Sequence, residues 1–131
     1  MRLRAPHLLC LFLLAAAVPA LAQEGHPLTG TWSGDWGGSG DRMHLTLVLE
    51  WDGKNISGTI NPGPDAIPLS KIFLDVTDWT VRLEADAKDP SGTPVRITAQ
   101  GRLDDIGSWH RTFSGKWRQG SVTGDFRLTR N

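Results

Sequence analysis

The sequence predicts an all-β chain: a small antiparallel up-and-down barrel of about eight strands, with a strongly curled open sheet as the alternative. Three observations carry this. Helical periodicity is nearly absent after residue 22, whereas two-residue alternation recurs, as in "RMHLTLVLEW" and "WTVRLEADAK", the pattern of strands with one buried and one wet face. Glycine- and proline-bearing turn signals separate the alternating runs at short, regular intervals, which implies hairpin connections. Glycines also fall inside the runs, at Gly34, Gly58, Gly115 and Gly124, where a strand bends, bulges or makes room for a large ring.

The first element is a targeting segment over residues 1–22. Arg2 and Arg4 give a basic start, "LLCLFLLAAAV" an apolar stretch too short for a comfortable membrane span, and "ALA" at 20–22 a small-residue cleavage signal. The mature chain is expected to start at Gln23, as a secreted or periplasmic protein with no membrane span. Residues 23–28 read as a tail, and 29–131 as a single barrel domain.

Within the domain, strands are expected at 29–36, 42–51, 55–61, 68–74, 79–88, 94–103, 109–118 and 121–130. In the second, Met43, Leu45, Leu47, Leu49 and Trp51 share the apolar phase; "DGKN" at 52–55 then reads as a hairpin with Gly53 at positive φ. "NPGPDAIP" at 61–68 is too rich in proline for a central strand and reads as a loop. The fourth strand, "PLSKIFL", alternates poorly. In the fifth, Trp79, Val81, Leu83, Ala85 and Ala87 point inward and Arg82, Glu84, Asp86 and Lys88 outward. The sixth repeats this, with Val95, Ile97, Ala99 and Leu103 inward. "KDPSGTP" and "QGS" supply the remaining turns, and Phe113, Trp117, Val122, Phe126 and Leu128 complete the expected core. With Trp32, Ile56 and Ile60, these side chains predict a filled interior and leave recognition to the outer face or the loops.

Composition excludes several chemistries. The one cysteine, Cys10, leaves with the signal segment, so the mature chain has neither a disulfide scaffold nor a thiol nucleophile. Lys+Arg and Asp+Glu are 14 each over the whole chain; loss of Arg2 and Arg4 leaves a slight acidic excess, which does not suit nucleic acid or an anionic membrane. His26, His44 and His110 show no metal-ligand spacing. Glu84 and Asp86, two apart on one strand face, lie about 6–7 Å apart at a strand's rise, a separation compatible with a glycosidase pair. Arg82 and Lys88 beside them instead predict a solvated charged face, and Asp104–Asp105 reads as a turn. No Gly-x-Ser-x-Gly elbow or phosphate loop occurs, and "GGSG" at 37–40 is a loop. "NIS" at 55–57 fits a glycosylation acceptor in a eukaryotic source. No enzyme, metal or cofactor is expected.

Tryptophan is the strongest compositional feature, with six in the chain. Trp32, Trp51, Trp79 and Trp117 fall in the apolar phase. Trp36 and Trp109 stand at strand ends and are the candidate surface rings, placed to stack on a sugar or grip a partner. Arg111 and Arg130 share the inward phase. Arg130, at the end of the last strand, is expected to stack on Trp32 of the first and so mark barrel closure.

Two resemblances follow from these residues. "LTGTW" followed by "DGKNISGTI" resembles the opening of avidin-type barrels, and a Gly-x-Trp facing a terminal arginine resembles the lipocalins. That calycin-like likeness implies a carrier of a small apolar ligand. Over nearly the whole predicted mature chain, "GTWSGDW", "LTLVLEWDGKNISGTINPG", "IPLSKIFLD" and "FSGKWRQG" before "FRLTR" are similar to a small β domain of secreted bacterial hydrolases, where it precedes an α/β-hydrolase catalytic domain. The matching positions are Gly30, Trp32, Gly34, Asp52, Gly53, Ile67–Ser70, Ser114–Gly120 and Arg130. The sequence ends there without the hydrolase. The resemblance therefore implies a stand-alone accessory module with no catalytic residue, whose partner is an exported protein or a carbohydrate. An inhibitor of an exported enzyme, acting through loops such as 61–68, fits the same features.

Overall fold

The structure is a computed structural model that describes residues 25–131; the expected signal segment and the Gln23 start lie outside the described residues. Eight strands follow in order: β1 (Gly30–Gly37), β2 (Arg42–Trp51), β3 (Ile56–Ile60), β4 (Ile67–Asp75), β5 (Thr80–Lys88), β6 (Pro94–Asp104), β7 (Thr112–Gln119) and β8 (Val122–Arg130). Each pairs antiparallel with its sequence neighbour, and β8 returns to β1, so the sheet is a closed up-and-down barrel rather than an open one. Closure aligns Trp32 with Arg130 in the β1–β8 register.

Alternation dictates the layers. Leu45, Leu47 and Leu49 of β2, Val81, Leu83 and Ala85 of β5, and Ile97, Ala99 and Leu103 of β6 are buried. A chain of rings runs through the interior. Trp32 meets Phe113 edge-on (6.4 Å between centroids), Phe113 meets Phe126 (4.7 Å), Phe126 meets Trp117 (6.1 Å), and Trp117 packs on Trp36 (5.4 Å). An eight-stranded barrel is just wide enough for side chains to fill, and these rings with the surrounding leucines occupy that width.

Several expectations are corrected. Leu28, assigned to a tail, is fully buried; residues 25–29 turn inward, with the Thr29 amide donating to His26 O at 3.0 Å. Trp79 does not begin the fifth strand. It holds a left-handed backbone, φ 59°, its carbonyl accepts the Leu103 amide at 2.9 Å, and its ring is half-buried against the core. Val122 and Met43, both on the apolar phase, are exposed because they lie at strand ends beyond the packed layers. Residues 109–111 precede β7 rather than belonging to it. The poor alternation of the fourth strand has a cause: the β4–β5 register shifts between Leu69 and Lys71, a bulge that inserts Ser70 and resets which phase faces inward.

Most of the in-strand glycines make close backbone contacts rather than spaces for rings; Gly58 instead lies against the Leu49 and Leu69 side chains. A Cβ on Gly34 would overlap the Arg127 carbonyl, one on Gly101 the Ser114 carbonyl, and one on Gly115 the Gln100 carbonyl. Gly101 and Gly115 pair directly across β6 and β7. The β6 and β7 backbones approach closely where both strands lack a side chain.

Candidate functional site

One end of the barrel is sealed by chain 25–29 and by two arginines. Trp32 is fully buried and its indole N–H donates to Leu28 O at 2.8 Å. Arg130 is the one buried charged residue among those described. Its guanidinium donates to Trp109 O (2.8 Å), Thr29 O (3.1 Å) and Pro27 O (3.3 Å), and Arg111 also donates to Pro27 O (2.9 Å) and to Ile106 O (3.0 Å). Burial, with the Arg111 charge beside it, lowers the Arg130 pKa from its ordinary value. Carbonyl oxygens and ring faces replace the lost water. The expected stacking is present in extended form: Arg130 lies 5.8 Å from the Trp32 centroid and 4.0 Å from that of Trp109.

This cluster separates the two candidate surface tryptophans. Trp109 is 62% exposed, as expected, but it is anchored by an indole bond to Asn131 O (2.6 Å) and by the Arg130 stack. Trp36 is not a free surface ring: it is half-buried against Trp117 at the far end of the ring chain, because its phase matches Trp32 and Gly34 on the inner face of β1. The two rings do not share a surface. Trp32, Arg130 and Trp109 form a structural plug.

A site with room for a ligand lies on the outside. A cleft of about 680 Å3 lies over the outer wall of β5–β8, flanked by Gly37 and Gly38. Cross-strand register builds it from two rows of outward side chains. Arg82 pairs with Gln100, Gln100 with Lys116, and Lys116 with Asp125; in the second row Glu84 pairs with Thr98, Thr98 with Arg118, and Arg118 with Thr123. Strands spaced about 4.8 Å apart, and rows two residues apart, give a floor of roughly 14 by 7 Å. The Gly101–Gly115 contact lies directly beside the Gln100–Lys116 pair.

Charge is unevenly committed there. Glu84 is paired with Arg96 (2.9 Å) and Lys71 (3.7 Å), and Arg96 also holds Asp86 at 2.9 Å. The Arg96 hydrogen bond is the main reason that the Glu84 pKa is lowered. Asp125 is paired with Arg42, which also binds Asp35. Arg82, Lys116 and Arg118 have no ion-pair partner among the described residues. Glu84 and Asp86, read from sequence as part of a solvated charged face beside Arg82 and Lys88, are bridged by Arg96, a β6 residue that the spacing within β5 does not reveal. Of the turn expected at Asp104–Asp105, Asp104 is instead the last residue of β6, paired with Thr112, and Asp105, with φ 57°, is where the chain leaves the strand. The cross-strand rows escaped sequence reading because each contributes one residue per strand.

Comparison with protein-family models, with curated proteins and with solved structures returned no match.

Proposed function

We propose that this chain is an exported, non-enzymatic barrel that serves as a binding or accessory module and recognises its partner, an exported protein or a carbohydrate, through the outer wall of β5–β8. The observation that carries this reading is the contrast between a ring-filled interior and an open cleft outside it that charged side chains such as Arg82, Lys116 and Arg118 line. A carrier of an apolar ligand needs an internal cavity of roughly 300–1,000 Å3, and the Trp32–Phe113–Phe126–Trp117 chain occupies the space where one would lie. Glu84 and Asp86, the two carboxylates on one face of β5, are both held by Arg96, and its hydrogen bond lowers the Glu84 pKa, which disfavours a proton-donor role for Glu84. Export is supported by the basic start, the apolar stretch and "ALA" at 20–22. The likeness of Gly30–Gly34 and Ser114–Gly120 to the β domain of secreted hydrolases supports an accessory role beside such an enzyme.

Titration with palmitate and with ANS tests the reading. Neither should bind the native protein saturably. A one-to-one complex that shifts the Trp32 indole resonance would place recognition inside the barrel and make the chain a carrier.

A further inference from the structure

The charge pattern of the outer cleft points to the chemistry of its ligand. Three of the four carboxylates on β5–β8 are already engaged by an arginine, Glu84 and Asp86 by Arg96 and Asp125 by Arg42; the fourth, Asp104, ends β6 outside the cleft. Neither arginine lines the cleft. Three cations that do line it, Arg82, Lys116 and Arg118, have no ion-pair partner among the described residues, and all three are exposed. Arg102 and Arg127, the outward residues of the next cross-strand row, also form no ion pair among those residues. The wall therefore presents uncompensated positive charge although the whole chain is formally neutral. Such a surface concentrates anions.

Between the cations stand Gln100, Thr98 and Thr123. These neutral groups both donate and accept hydrogen bonds, which suits hydroxyls. Phe73, 51% exposed, pairs with Arg82 next to the cleft and offers an apolar face. An extended peptide gains most of its affinity by adding a strand to a free sheet edge, and this closed barrel has none.

We propose that the cleft binds an acidic oligosaccharide, with Arg82, Lys116 and Arg118 taking the carboxylates of uronate units and Gln100, Thr98 and Thr123 their hydroxyls. Guanidinium groups match carboxylates bidentately, and the elongated floor fits a short chain better than a single sugar. This inference rests on the reading of the cleft as the recognition surface.

Calorimetry and amide NMR on the purified chain with trigalacturonate, maltotriose and triglutamate test it. Trigalacturonate should bind, perturb the amides around Gln100 and Lys116, and weaken as salt is raised past the point where the screening length falls to about 8 Å. The double variant Lys116→Gln/Arg118→Gln should lose about tenfold or more in affinity, a change of roughly 1.4 kcal/mol, whereas Lys116→Arg should retain binding. These are exposed side chains, so an unchanged melting temperature checks that the variants fold. Equal binding of maltotriose in the cleft, unaffected by the charge-removing variant, would overturn the acidic ligand and leave the cleft reading in place. Tighter binding of triglutamate would overturn it in favour of an acidic peptide. Trigalacturonate shifts confined to core amides such as Leu47 and Val81 would overturn the cleft reading itself. No binding of trigalacturonate would overturn the proposal.

Discussion

Two buried tryptophans differ in one atom's environment, and that difference is measurable. The Trp32 indole N–H donates to Leu28 O, whereas the Trp117 indole N–H is buried with no partner among the described residues. A buried unsatisfied donor costs about 1–3 kcal/mol. Trp32→Phe removes a satisfied donor and leaves Leu28 O without its partner; Trp117→Phe removes an unsatisfied donor. Chemical denaturation should therefore show Trp32→Phe to be the more destabilising, with Trp32→Ala costing about 3–5 kcal/mol. Equal losses would show that ring volume alone matters. His26 gives a second test at this scale. Its Nδ1 accepts the Leu28 amide at 3.1 Å and its ring packs on Trp51 at 5.3 Å, and burial lowers its pKa. The neutral ring is the form that can accept, so this contribution is fully present above the unfolded value of about 6.5 and is lost as pH falls through the lower folded value. The urea midpoint should drop between pH 7.5 and 5.5 in the native sequence and drop less in His26→Leu; identical slopes would exclude His26 as the source.

At the scale of the strands, bending and register decide what a substitution does. A Cβ on Gly115 would meet the Gln100 carbonyl and the Gly101 Cα, which are backbone on both counts, whereas one on Gly58 would first meet the ends of the Leu49 and Leu69 side chains. Side chains can rotate aside; a paired strand cannot move without breaking its ladder. Gly115→Ala should accordingly abolish cooperative unfolding, and Gly58→Ala should only lower the melting temperature, as followed by near-ultraviolet circular dichroism of the tryptophans. The same contrast explains what could be read from sequence. Strict alternation in β2, β5 and β6 is a direct imprint of one wet face, so these strands and their inward residues were legible. The β4 bulge was not, because an inserted residue looks like loss of pattern. Nor was the left-handed backbone at Trp79, since a large aromatic residue in phase with Val81 and Leu83 reads as one more inward side chain. The cleft was least legible. Arg82, Gln100 and Lys116 are distant in sequence and become neighbours only through register.

Closure gives the whole molecule its ring of ladders, and the ladders are unequal. β5 and β6 pair over nine positions, Thr80–Lys88 against Arg102–Pro94, whereas β3 and β4 pair over two, Thr59 with Pro68 and Ile60 with Ile67. Pro68 has no amide proton to donate, and the β4 bulge begins close by, between Leu69 and Lys71. The β1–β8 closure is firm by comparison, with six register pairs and the Arg130 plug beside it. Local opening follows the weakest contacts and need not reach global unfolding. The barrel should therefore open at the β3–β4 seam while its chemical ends stay joined. Native-state hydrogen exchange measures this: amides at Thr59, Ile60 and Ile67 should exchange with the lowest opening free energies among the strands, and those of β5 and β6 should approach the global value. The outer cleft lies on the β5–β8 wall, away from that seam, so a ligand held by Arg82, Lys116 and Arg118 should slow exchange in β6 and β7 and leave Thr59 and Ile60 unchanged. A ligand that instead protected the β3–β4 seam would have entered the barrel there, and recognition would belong to the interior.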